Sequence, residues 1–271
     1  MHKDTRDIIA IPTFNRIRHL VACLRCLRQA RGLERYRVFV RDDASSEFGA
    51  DEIARLIPEA TSIERNVVNL GPDANQLLLF RDCLEAGARR ILVLDSDMLV
   101  SPSILEFTEQ AFERTGGFLG LYNSLLHGKR RDMDCDLIEK WSVGGTATCW
   151  ESGLMGRVID RCERDLTQTW DWIANAELNE TRTPIIVSRR SYAQHLGIMG
   201  VNNGVFGKID YGLGFIIETD DQARFMAETF DDLMSRQRQV AASKRKTKLK
   251  AWYKPRFLEV LKRIRQRPDD A

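Results

Sequence analysis

Two rhythms of apolar residues alternate over the first hundred positions. Asp7-Ile8-Ile9-Ala10-Ile11-Pro12, Tyr36-Arg37-Val38-Phe39-Val40 and Ile91-Leu92-Val93-Leu94 are dominated by apolar residues without alternation. Such runs predict strands buried on both faces of a sheet, found mainly where strands are parallel. Between them the spacing changes. From Arg16, the positions Ile17, Leu20, Val21, Leu24 and Leu27 fall on one helical face with arginines opposite, and Gly32 is expected to end the helix. Asp51 to Leu56 predicts a short helix, Thr61 to Arg65 a strand and Asn66 to Pro72 a loop. A helix from about Asp73 to Gly87 follows, with Leu77, Leu78, Cys83 and Leu84 for its buried face. This alternation predicts an α/β fold with a mostly parallel central sheet flanked by helices.

Beyond Asp97 the pattern is less regular. Ser101-Pro102-Ser103 starts a helix that Gly116-Gly117 ends, Phe118 to Tyr122 reads as a strand, and the charged stretch His127 to Lys140 as a loop or short helix. Lys140 to Trp150 predicts a strand pair or a bulged strand, with Gly144 and Gly145 where another backbone or a ligand approaches closely. Ser152 to Arg164 and Trp170 to Leu178 are helical by spacing, and Ile185 to Val187 is a short strand. His195 to Gly207, rich in Gly and Asn, reads as a moving loop or a set of tight turns.

Composition narrows the class. A hydrophobic content of 43% in 271 residues is ample for a packed core. With 41 basic and 39 acidic residues, the net charge of +2 argues against a nucleic-acid-binding protein. The polar start, Met1 to Asp7, does not read as a signal peptide, and no later stretch is apolar long enough to span a bilayer. A cytoplasmic location is expected. Cys23 and Cys26, the only close pair of cysteines, sit inside a helical pattern past the helix start, so free thiols are expected rather than a redox or zinc pair.

Candidate chemistry gathers where the strands end. Ile91 to Leu94 runs into Asp95-Ser96-Asp97, and in open α/β sheets ligands sit beyond the carboxyl ends of the strands. Paired hard oxygen ligands there suit Mg²⁺ or Mn²⁺ shared with a substrate's phosphates. The second strand likewise delivers Asp42 and Asp43, which otherwise read as turn and cap residues. Asp132-Met133-Asp134-Cys135-Asp136 has the same spacing but no strand before it, and reads as a solvated loop.

Five stretches in order resemble the nucleotide-sugar-dependent glycosyltransferases of the GT-A fold, family-2 type. They are Ile11-Pro12-Thr13-Phe14-Asn15-Arg16, Arg41-Asp42-Asp43-Ala44-Ser45-Ser46, Asn69-Leu70-Gly71 through Asn75, Asp95-Ser96-Asp97, and Trp170-Asp171-Trp172. The resemblance implies that Thr13 and Asp43 border the base and ribose of a donor nucleotide, UDP type. Pro12, Asn15, Arg16, Gly71, Asn75 and Ser96 would complete the donor site. Asp95 would face the ribose or a metal-bound water, and Asp97 would hold a divalent ion, Mn²⁺ or Mg²⁺, with His195 as a further ligand. Asp171 matches the catalytic base. A single carboxylate opposite the leaving group implies inversion at the anomeric carbon. Two departures stand out: Ala44 where glycine is usual, and no acid just before Asp171.

Alternatives are a sugar nucleotidyltransferase, which resembles a Gly-rich loop after the first strand, and a degenerate scaffold or sugar-binding protein. Residues 1–235 would form the GT-A domain, with a nucleotide-binding half of about 1–100 and an acceptor half of about 101–235. Residues 236–271 would form a basic helical tail. In it Phe257, Val260, Leu261 and Ile264 recur on one face, with Trp252, Tyr253 and many basic residues nearby. The tail either packs on the domain or lies on an anionic membrane surface, beside a glycan or lipid-linked acceptor in bacterial-type cell-surface polysaccharide or glycolipid synthesis.

Overall fold

The computed structural model describes residues 7–164, 168–197 and 212–243. The central strand β1 (Asp7–Thr13) lies between β2 (Arg37–Asp42) and β4 (Arg90–Val93), parallel to both. Side chains alternate across a strand. Ile9 and Ile11 therefore join one core with Val38, Val40 and Leu92, while Ile8 and Ala10 join a second with Phe39, Ile91 and Val93. Helices cover both faces. α1 (Ile17–Arg28) inserts Leu20, Leu24 and Leu27 into the first core, and α3 (Pro72–Glu85) inserts Leu79, Phe80 and Cys83 into the second.

β3 (Ala60–Arg65), reached through α2 (Ala50–Leu56), adds a parallel strand beyond β2. On the other side of β4 come β9 (Thr148–Glu151), β6 (Phe118–Gly120), β10 (Ile186–Ser188), β8 (Leu137–Lys140) and β7 (Lys129–Asp132), completing a nine-stranded sheet. Only β9 and β8 run against the common direction, so the sheet is mostly parallel, as the alternation predicts. Its second half is flanked by α4 (Ile104–Ala111), α5 (Ser152–Arg164), α6 (Trp170–Glu180) and α7 (Asp220–Ser243).

Three local expectations change. α1 stops at Arg28 in a turn at Gln29, and Gly32, at φ 90°, instead opens a 3-10 turn over Leu33–Arg35. The stretch His127 to Lys140 holds the hairpin of β7 and β8. Its charges hid the strands, because Arg130 and Arg131 both pair with buried Glu139 across it. Its turn carries the second Asp-x-Asp run, where Asp134 accepts the Asp136 and Leu137 amides, in keeping with an exposed loop. The third change is a separate ribbon, β5 (Met98–Val100) antiparallel to β11 (Ala193–His195). On the outer side of the first core, α7 covers α1 through Phe225 and Met226.

The six cysteines are free, as expected. Among the described residues, no helix is long and apolar enough to cross a membrane. Most of the Gly- and Asn-rich stretch, residues 198–207, and the tail from 244 lie outside the described residues.

Candidate active site

β4 ends beside β1, where Leu94 N donates to Ala10 O, and the next residue is Asp95. Its backbone N donates to Thr146 Oγ1 at 3.3 Å, and Gln76 Nε2 donates to its Oδ1 at 3.1 Å. Burial, then the negative charge of Asp97, pushes the Asp95 carboxyl well above the usual carboxylate range. Asp97 shifts the other way. Burial works to raise it too, but His195, by charge and hydrogen bond, outweighs this together with Arg16 and His19, and the net direction is down.

The ribbon delivers His195. β11 pairs His195 with Met98, the residue after Asp97, and Leu196 N donates to the Asp97 carbonyl at 2.8 Å. His195 Nε2 then lies 3.2 Å from the buried Asp97 Oδ1. Gly197 leaves the room: a Cβ on it would stand 2.3 Å from Asp97 Oδ2 and 2.6 Å from His195 Cε1. The Asp97 carboxylate and the His195 imidazole are donor types that fit Mn²⁺ or Mg²⁺, and Asp95 lies close enough to feel both charges. Among the described residues, however, only exposed Asp134, Cys135 and Asp136 bring three such ligand atoms within 4.8 Å of one another. Asp97 Oδ2 faces Arg16, whose Nη1 is 3.2 Å away. Arg16 and Asn15 both adopt left-handed backbone, with φ 58° and 50°, at the head of α1.

The other donor-site candidates line the same sheet edge. Thr13 Oγ1 is buried with no partner among the described residues. Pro12, beside it, is buried in β1. Asn15 Oδ1 accepts from the Ser46 amide at 2.8 Å, joining the turn after β1 to the loop after β2. Asp43 is buried, and its carboxylate accepts from Asn66 Nδ2 and from the Leu70 and Gly71 amides. It fixes the loop whose Gly71 takes φ 88°. Asn75 is also buried, accepting from Asn66 and donating to Arg41 O. Ser96 is half-buried between the two aspartates. Ala44 has φ 59°, a left-handed backbone that explains why glycine suits that position.

Across the edge, α6 presents Asp171. Its Oδ1 accepts from Thr169 Oγ1 and the Trp172 amide, so it shapes the helix start. Burial pushes its carboxyl up, against the pull of these hydrogen bonds. Asp73, from α3, adds to the rise and accepts the Trp170 amide at 3.0 Å. The acid beside Asp171 thus comes from another helix instead of the preceding residue. Gly145 and Thr146 join the two sides. Thr146 touches Asp95, while a Cβ on Gly145 would be 2.4 Å from the Trp170 ring and 3.1 Å from Asp171 Cβ.

Sequence reasoning did not single out Gln76, Thr146, Asp73 or Gly197, although Asp73 lies within the Asn69 to Asn75 stretch and Gly197 two residues after His195. Among the aromatics, Trp150 and Tyr192 belong to the core, Tyr192 stacked on Phe107, while Trp172 is half-buried.

Residues 8–121 match the sequence model of glycosyl transferase family 2, which covers β1 through β6 and both strand ends that carry Asp43 and Asp97. The matched segment is similar to family-2 glycosyltransferases, and the chain shares the GT-A type of α/β fold. Among solved structures, the chain is similar to residues 1–349 of S. aureus TarS. The TM-score is 0.53 at 14% identity, over 69% of this chain and 59% of that one. The same TarS fragment in complex with UDP gives a TM-score of 0.51, and with UDP-GlcNAc 0.50, each at 14% identity, covering 69% of this chain and 59% and 57% of those chains. At that identity the likeness speaks for the fold, and the chain spans about three fifths of the fragment's length. No curated protein matches the sequence.

Proposed function

We propose that this chain is an inverting, metal-dependent glycosyltransferase. It moves a sugar from a nucleoside-diphosphate sugar, UDP type, to a hydroxyl of a glycan or lipid-linked acceptor in cell-surface polysaccharide or glycolipid synthesis. The observation that carries this reading is the pairing of His195 Nε2 with Asp97 Oδ1 beyond β4, within electrostatic reach of Asp95, which also feels Asp171 near Gly145 and Thr146. The UDP complexes of TarS support the base assignment.

Each residue has a task. Thr13 Oγ1, a buried hydroxyl without a partner among the described residues, takes up a polar group of the base or ribose. Asp43 shapes the base pocket by holding Leu70 and Gly71. Asp97 and His195, with Asp95 nearby, would hold a divalent cation, which would neutralise negative charge on the diphosphate. Pro12, Asn15, Arg16, Asn75 and Ser96 frame the donor side. Asp171 accepts the proton of the attacking hydroxyl, and its raised basicity suits that task.

We place residues 1–235 in the catalytic domain, with a donor half and an acceptor half. The basic segment from 236 attaches peripherally to an anionic cytoplasmic membrane face, each basic residue near the surface contributing on the order of 1 kcal/mol. Equal flotation of the full chain and a truncation at Ser235 with anionic vesicles would refute that attachment. A thermal-shift screen of UDP, GDP, CDP and dTDP with Mn²⁺ tests the main reading, since binding stabilises by RT ln(1 + [L]/Kd). A shift with one nucleotide, larger with Mn²⁺, is expected. No shift with any of them contradicts it.

A further inference from the structure

Trp170 and Asp171 open α6, and α3 holds the first of them at two places. Asp73 Oδ1 accepts the Trp170 amide at 3.0 Å, and the Phe80 ring meets the Trp170 ring edge-on, with centroids 5.0 Å apart. Asp73 and Phe80 are seven residues apart, hence on one face of α3. Trp170 is closed in from the other side as well, because a Cβ on Gly145 would stand 2.4 Å from its ring. The residue beside the candidate base is therefore wedged between α3 and the Gly145 loop.

A helix start leaves its first N–H groups without intrahelical partners, and the side chain of the preceding residue commonly accepts from one of them. Thr169, at that position, does not cap α6; its hydroxyl donates to Asp171 Oδ1 instead. Asp73 supplies an acceptor from another helix. One turn further on, Asn175 exchanges two hydrogen bonds with the Val143 backbone and donates to the Asp171 carbonyl at 2.7 Å. Asn175 thus fixes the body of α6, and Asp73 its first turn.

Asp73 is also close to the candidate nucleotide loop. Asp43 accepts the Leu70 and Gly71 amides at 2.8 and 2.9 Å, and Pro72, whose ring fixes φ, joins Gly71 to Asp73. Few torsions separate the two anchored points. We propose that Asp73 is a positioning residue, coupling the segment that receives the donor nucleotide to the turn that carries Asp171. Nucleotide seated against Leu70 and Gly71 then steadies Asp171 before an acceptor arrives. The proposal rests on the glycosyltransferase reading above and adds a mechanical link between donor and base.

The test is amide hydrogen exchange of the full chain with and without UDP and Mn²⁺, with calorimetry reporting whether UDP binds. In wild type, UDP should slow exchange in residues 66–73 and, by about threefold or more, in residues 170–173. Asp73→Ala should still bind UDP and keep the protection of 66–73 while losing that of 170–173. Its UDP affinity should fall by no more than about the same factor, since coupling between two sites is reciprocal. Asp73→Asn, whose amide oxygen can still accept the Trp170 N–H, should restore the protection of 170–173. Protection of 170–173 by UDP that survives in Asp73→Ala, its absence from a wild type that binds UDP, or an Asp73→Asn chain that behaves like Asp73→Ala would overturn the coupling. A wild type that does not bind UDP would overturn the donor reading and the proposal with it.

Discussion

His195 Nε2 stands 3.2 Å from Asp97 Oδ1 because the β5–β11 ribbon pairs His195 with Met98, next to Asp97. Gly197 lets the two approach, since any Cβ there meets both side chains. Gly197→Ala and His195→Ala should therefore each weaken Mn²⁺-promoted nucleotide binding by about 10–100-fold. The melting temperature should move by no more than about 4 °C, the equivalent of roughly 1 kcal/mol in a chain of this size. Unchanged metal-promoted binding in either folded variant would remove His195 from the site.

Asp171→Asn should keep donor binding and lower transfer by about 10²–10⁴-fold, because the amide keeps the Oδ1 contacts but cannot take a proton. Burial raises the Asp171 pKa, so the acidic limb of kcat/KM should lie above the ordinary aspartate value of about 3.9. The stability sign is opposite to that of a paired carboxylate. With the folded pKa above the unfolded one, the contribution of Asp171 is fully present below the unfolded pKa and is lost as pH rises through the folded pKa. At neutral pH, Asp171→Asn should then be neutral or stabilising by thermal melt. Glu177, on the same helix, is held by Arg157 and Arg161, so Glu177→Gln should lower stability and spare transfer.

The donor half was readable in the sequence because its strands are long, apolar and parallel: Ile8 to Ile11 and Ile91 to Leu94 announce themselves, and each ends at polar groups on the sheet edge. The ribbon was not. Its strands have three residues each, too few for periodicity, and their pairing joins distant segments. The hairpin of β7 and β8 was hidden for a different reason, its charges being satisfied across the strands by Glu139. Asp43 reads in sequence as a ligand-facing acid, whereas its carboxylate is buried under Leu70 and Gly71, a role only the folded loop reveals.

Arg16 presents its guanidinium to the carboxylate that is proposed to hold the metal. A fixed positive charge there opposes a second cation. Arg16→Met should strengthen Mn²⁺ binding to the nucleotide-free protein, as read by calorimetry or by the Mn²⁺ electron resonance signal. Equal or weaker Mn²⁺ binding would show that Arg16 does not compete for Asp97.

Ala44 sits at φ 59°, where an L-residue costs roughly 1–2 kcal/mol and glycine does not. Glycine also gains freedom in the unfolded chain, which offsets about 0.4–1 kcal/mol of that relief. Ala44→Gly should raise stability by about 1 kcal/mol or less, about 2–4 °C in melting temperature. A lower melting temperature would mean that the loop does not keep this backbone.

Calorimetric titration of UDP into the wild-type chain and into Asp97→Ala, with and without Mn²⁺, tests the account most directly. Asp97 lies at the end of the buried strand run, faces both His195 and Arg16, and is the carboxylate on which the proposed metal site depends. Wild type should bind UDP more tightly with Mn²⁺ than without. The folded variant should show a single, weaker affinity that Mn²⁺ does not change. An Asp97→Ala protein whose UDP affinity still rises with Mn²⁺ as in wild type would contradict the assignment.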